Sequence, residues 1–239
     1  MMRSGNPALK GEVFKAAGVG EETMSIQGAV NKTMLLLFLV AIGAAWTWSN
    51  PVRFLPFVWP LLIGGFILAL VTIFKKEWSP VTAPIYAAVE GLILGVLSAI
   101  FERSYPGIVI QAVGLTFGVL FSLLLAYKSR LIQATENFKL GVVAATGGIA
   151  VVYIIDIVMG LFGRSIPFIH QSGLIGIGFS IFVVIIASLN LVLDFDFIEK
   201  GTEAGAPQYM EWYGAFCLMV TLIWLYLEIL RLLSKTRRR

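Results

Sequence analysis

A chain of 239 residues that is 58% hydrophobic and 13% charged, with a mean hydropathy of +0.88, cannot shield its apolar surface from water with polar side chains. This excludes a soluble globular domain and makes the lipid bilayer the solvent; the formal net charge is +4, and no nucleic-acid partner is expected. The single cysteine, Cys217, excludes an internal disulfide and any paired-cysteine metal or redox motif, and reads as a small apolar filler in a helix.

Residues 1–32 contain no apolar core of the length a secretory signal needs. They read as a cytosolic segment, and the first apolar run, beginning near Met34, as the targeting element. Crossing about 30 Å of hydrocarbon takes roughly 20 helical residues. Seven apolar runs approach that length, at 33–48, 54–74, 81–101, 107–127, 140–162, 173–193 and 212–233. Their connections are short, so one all-α transmembrane domain is predicted over 33–234, followed by a basic tail at 235–239. Trp46 and Trp48 close the first run and read as an interfacial aromatic belt. Small residues recur at helical spacing as Gly91 with Gly95, Gly114 with Gly118, and Gly141 with Ala145, which lets backbones approach closely. Taking connections alternately, Lys and Arg number ten on the side of the N-terminus against three on the other, which predicts a cytoplasmic N-terminus. Lys235, Arg237, Arg238 and Arg239 break this pattern, because an odd number of spans puts them outside.

An ionisable side chain inside a span costs at least a few kcal/mol, so each one needs a partner, water or a proton. Glu90, Asp156, Asp194, Asp196 and Glu228 fall in or at the ends of the runs, and no Lys or Arg lies mid-span to neutralise them. Carboxylates without a basic partner share protons, take up a cation or sit in a hydrated cavity. A proton-sensitive cation site follows, and calcium, a hard ion that prefers oxygen ligands, fits best. Asp156 and Asp196 also have a plainer reading as acids solvated near helix ends. Asp194 and Asp196 project about 200° apart on a continuing helix, so only one of them faces the interior. Glu228 lies in an apolar stretch with only Arg231 near its end, and is expected to be buried. The sixth and seventh runs are consecutive and antiparallel, so Asp194 and Glu228 can meet across their shared face if their depths agree.

The stretches Leu193-Asp194-Phe195-Asp196-Phe197-Ile198 and Leu225-Tyr226-Leu227-Glu228-Ile229-Leu230 resemble two motifs of the Bax inhibitor family of membrane proteins, in its bacterial branch. The family's sixth span closes on Tyr-Asp-Thr-Gln-x-Ile and its seventh carries Leu-Tyr-Leu-Asp-x-Ile-Asn. The motif acids land on Asp194 and Glu228. Val89-Glu90-Gly91-Leu92 resembles the family's Glu-Gly-Leu element, and the likeness covers about residues 30–234, with Asn6-Pro7-Ala8 in a branch-specific extension. The resemblance implies six helices around a central seventh, and a pH-sensitive calcium leak whose latch is an acid pair from the last two spans. It further implies a basic residue from the second span near that latch, for which Lys75 and Lys76 are candidates; both also read as inner-side anchors. The chain departs from the family in having Glu228 in place of aspartate, Leu193 and Asp196 in place of the flanking Tyr and Gln, and a longer stretch at 200–213.

Enzymatic chemistry is not expected. The seventh run lacks the Lys a retinal protein needs, no Gly-x-Gly-Asp element of an intramembrane protease occurs, and no Ser is paired with a base in a span. His170 is the single histidine and reads as a surface residue between the fifth and sixth runs. The expected function is therefore a cation leak without a resident cofactor, in a bacterial cytoplasmic membrane. Asp194 and Glu228 form its latch and its expected calcium ligands, and Glu90, Asp156, Asp196 and Lys76 are further pore or latch candidates. The alternative is a non-conducting regulator that binds and restrains another membrane protein, such as a membrane protease.

Overall fold

In hydrocarbon every backbone N–H and C=O has to be satisfied within its own segment, and a run of apolar residues meets that demand by coiling into an α-helix. The computed structural model describes residues 23–164, 166, 169 and 171–238. The readings given above for Asn6-Pro7-Ala8, for the rest of residues 1–22, and for His170 and Arg239 lie outside the described residues.

Seven helices among the described residues are long and apolar enough to cross a membrane, as the seven runs predict. They are α1 (Ile26–Trp48), α2 (Pro51–Phe74), α3 (Lys76–Ser104), α4 (Ile108–Lys128), α5 (Glu136–Leu161), α6 (Leu174–Glu203) and α7 (Tyr209–Arg237). No strand occurs among the described residues; Thr23 and Pro207 form one isolated antiparallel bridge. Helix ends overrun the apolar runs where a cap extends them. At α1 the start moves back to Ile26 because the Ser25 hydroxyl accepts from the Gly28 N–H at 2.9 Å, satisfying an otherwise orphaned donor. Thr135 does the same for Phe138 at the start of α5.

Contacts divide the described residues into two units, the first within residues 23–106 and 196–220 and the second within 107–195 and 221–238. In the first unit, α1 packs closely on α3. The nearest approach falls at Gly91 and Gly95, where an added Cβ would run into the backbone of Val40 and Ala44 respectively. The Thr47 hydroxyl, which also lies in this seam, donates to the Leu92 carbonyl at 2.9 Å. Below it, Met24, Ala29, Phe197, Ile198, Ala206, Met210 and Tyr213 form a buried cluster, pinned by the Met24 N–H donating to the Ala206 carbonyl at 2.7 Å. In the second unit, Ile149 of α5 packs on Val183 and Ile186 of α6, with Trp224 of α7 against them. Of the three small-residue pairs in the sequence, the first is used in this way. At Gly114, Gly118 and Gly141 an added Cβ would meet nothing within 4 Å.

Large apolar side chains such as Phe38, Phe66, Ile110, Leu125 and Ile157 are each more than 60% exposed, a cost no soluble protein could carry across so many positions. Facing acyl chains, they lose nothing. The last helix is the most enclosed of the seven, with 56% of its apolar stretch buried against 50% for α3 and 39% or less for the others.

Gly91→Leu is expected to lower the unfolding free energy by about 1–3 kcal/mol, through overpacking of a seam that has no room. Gly118→Leu, facing open space, is expected to be close to neutral. Unfolding of the two variants in detergent micelles measures both, and equal losses at the two positions would contradict the packing described.

Candidate functional site

Gly205, in the left-handed region at φ +64°, ends α6 and lets the chain reverse within a few residues into α7. In the second unit Asp194 lies opposite Thr221 and, further along, Gly176 and Ser180 lie opposite Lys235.

Asp194 is reached by the Thr221 hydroxyl, which donates to its carboxyl group. The residue is partly buried, but its Oδ2 is fully enclosed and has no hydrogen-bond partner among the described residues. An enclosed, bare carboxylate oxygen is costly in the charged form, and the group lowers that cost by taking a proton or a cation. One turn earlier on α6, the Asn190 amide donates to the Thr146 hydroxyl of α5 at 2.8 Å and to the Ile186 carbonyl at 2.8 Å.

Glu228 is among the most deeply buried polar residues, at 2% exposure, and it has two partners. The Tyr153 hydroxyl of α5 donates to its Oε1 at 2.9 Å. The Arg231 guanidinium, three residues on along α7, donates to Oε1 at 2.9 Å and Oε2 at 3.1 Å, and to the Tyr153 oxygen at 2.6 Å. The guanidinium also lies 5.1 Å from the Tyr153 ring. The expectation that no basic residue neutralises these acids thus fails at Glu228. Arg231 sits at i+3 spacing, where the two side chains share a face.

The direct pairing expected between Asp194 and Glu228 is not formed either. Each has its own partners, and neither is the other's. The reason is register: Glu228 lies seven residues beyond Thr221 on the same face of α7, about 10 Å further along the axis. The acids share a unit and a face but not a depth.

The remaining candidates lie elsewhere. Asp156 of α5 accepts from the Ile166 N–H at 2.9 Å and so fastens the connection that follows its helix. In the first unit, Asp196 is buried and bonds Lys200 at 3.0 Å, one turn on, while Glu90 takes a hydrogen bond from Tyr86 and lies against Gly65 of α2. Lys76 holds its ammonium 5.2 Å from the Tyr213 ring. Glu211, unremarked in the sequence, is buried at the start of α7, where it bonds Lys32 and accepts from both the N–H and the hydroxyl of Ser25. Among the described residues, no three His, Cys, Asp or Glu side chains converge as a metal-holding group.

Thr221, Tyr153, Arg231 and Lys235 carry much of the site; in the sequence Arg231 and Lys235 stand out only as charges at the end of the last run, and Thr221 and Tyr153 do not stand out at all. The i+3 spacing of Glu228 and Arg231 was the one local signal available; the others come from helix register. A family model described as Bax inhibitor 1 like matches residues 6–238. No curated protein matches the chain.

Two double-mutant cycles, read as unfolding free energies in detergent, check this geometry. Glu228→Gln with Arg231→Met is expected to show a coupling of about 1 kcal/mol or more, and Asp194→Asn with Glu228→Gln to be additive within about 0.5 kcal/mol. Strong coupling in the second cycle would place the two acids in contact after all.

Proposed function

The chain belongs to the Bax inhibitor 1-like family of membrane proteins, and from that premise we propose that it is a pH-sensitive cation leak in which Asp194 is the proton-responsive acid. The observation that carries this reading is the enclosed Oδ2 of Asp194, a carboxylate oxygen with no partner at the position matching the family's sixth-span aspartate. Such a group changes charge with pH, and each change alters what the surrounding helices can hold in place. Asn190 and Thr146 add hydroxyl and amide oxygens one turn away, and Glu228 adds a second carboxylate further along the same face.

In this reading the two acids are separate stations, not a closed pair. Calcium is the permeant ion that suits a row of oxygen ligands, and it meets the carboxylates in turn as cargo. The protein makes and breaks no covalent bond. The excess of Lys and Arg on the N-terminal side supports a cytoplasmic N-terminus, and the family's bacterial branch supports placement in a cytoplasmic membrane.

Purified protein in sealed vesicles loaded with a calcium-sensitive dye tests the proposal. Leak is expected to vary with pH, and Asp194→Asn is expected to flatten that dependence, changing flux by about tenfold or more at the responsive end, equivalent to about 1.4 kcal/mol. Absence of flux from the unmodified protein at every pH would leave the non-conducting regulator as the better account.

A further inference from the structure

Lys235 lies in the last turn of α7, where a long cationic side chain would ordinarily snorkel outward to headgroups and water. It does the opposite. The residue is 4% exposed, and its Nζ donates to the Gly176 carbonyl at 3.0 Å and the Ser180 hydroxyl at 2.8 Å. Both acceptors lie near the start of α6, one turn apart, so the ammonium is held against a single face of that helix.

Electrostatics do not explain this placement as a simple stabilising contact. The start of a helix carries the positive end of the macrodipole, which disfavours a cation. Arg231, one turn back along α7, is a like charge that acts on the ammonium. Glu228 acts in the favourable sense, but its carboxylate is already engaged by Arg231 and Tyr153. What holds the ammonium is a carbonyl oxygen and a hydroxyl oxygen, the ligand types that replace water around a permeating cation.

We propose that Lys235 is a tethered cation plug: its ammonium fills an oxygen-lined cation site built by Gly176 and Ser180, and an ion passes that point only when the side chain withdraws. The inference rests on the cation-leak reading above and adds to it a second point of control, about two helical turns beyond Glu228 along α7. The covalent tether makes the plug local and reversible, and the nearby like charge and helix dipole keep its release within reach. Arg237, which donates to Gln111 of α4 at 3.0 Å, fastens the end of α7 next to it.

The experiment compares the unmodified protein with Lys235→Ala and Lys235→Arg in sealed vesicles, over a range of pH, with potassium and calcium as the ions measured. Lys235→Ala is expected to leak about tenfold faster than the unmodified protein, and Lys235→Arg, which keeps a cation at the site, to stay near it. Added n-propylammonium is expected to restore the block in Lys235→Ala and to raise its unfolding temperature in detergent, whereas n-propanol does neither. The unfolding measurement also establishes that the variant is folded. If the unmodified protein leaks and Lys235→Ala leaks no faster, the plug is overturned while the leak stands. If no protein leaks at any pH, the leak reading falls and the plug falls with it.

Discussion

A charged group inside a bilayer has no water to turn to, and most of what is specific about this protein follows from how each buried charge is met. Glu228 is met by Arg231 and Tyr153, Asp196 by Lys200, Glu211 by Lys32 and Ser25, and Lys235 by two oxygens of α6. These contacts are of two kinds. Pairs at i+3 or i+4 belong to one helix and say little about tertiary structure. The others, such as Glu211 with Ser25 or Lys235 with Ser180, tie helix to helix and exist only in one register. Because leaving one partner of a buried pair alone is far more costly than the pair is stabilising, they act as register pins more than as sources of stability. Asp194 departs from the scheme, with an oxygen enclosed and unmet.

Register also explains which parts of the fold and site were legible in the sequence. The seven spans were legible because apolar run length is set by bilayer thickness and needs no partner to be read. So was the close approach at Gly91 and Gly95, because small residues four apart on one face admit a neighbouring backbone. The same spacing at Gly114 and Gly118 fronts open space, since spacing reports where approach is sterically allowed and not whether a helix comes there. The acids were legible as costly residues. Their partners were not, because a partner across two helices depends on where the chain turns, and a shift of one turn in the α6 to α7 reversal replaces every facing pair. The expectation that Asp194 and Glu228 meet failed at that step and not in the choice of residues.

The two helices that carry the acids are the ones that run through both units. Residues 196–203 of α6 and 209–220 of α7 belong to the first unit, and the rest of each to the second. In the first unit Phe197 and Ile198 pack with Tyr213 in the cluster that also holds Met24 and Ala206. Within the first unit the reversal at Gly205 is thereby anchored by apolar burial and by the backbone bond from Met24.

The register within the second unit limits how the proposed leak can be gated. Bringing Asp194 and Glu228 into contact would require α6 and α7 to slide past each other by about 10 Å, roughly two turns, whereas packed helices in switching proteins more typically shift by about 1–2 Å or ratchet by about one turn. Sliding would also break the hold of Gly176 and Ser180 on Lys235 and the packing of Trp224 on Val183 and Ile186. A mechanism built on making and breaking that carboxylate pair is therefore the expensive one for this chain. The cheaper course leaves the helices in register and changes partners one side chain at a time. In the proposed leak, Asp194 would exchange a proton beside Thr221, and Glu228 would exchange among Tyr153, Arg231 and an arriving cation. Each step needs rotamer changes within a turn of its own position, and none needs the bundle to be rebuilt.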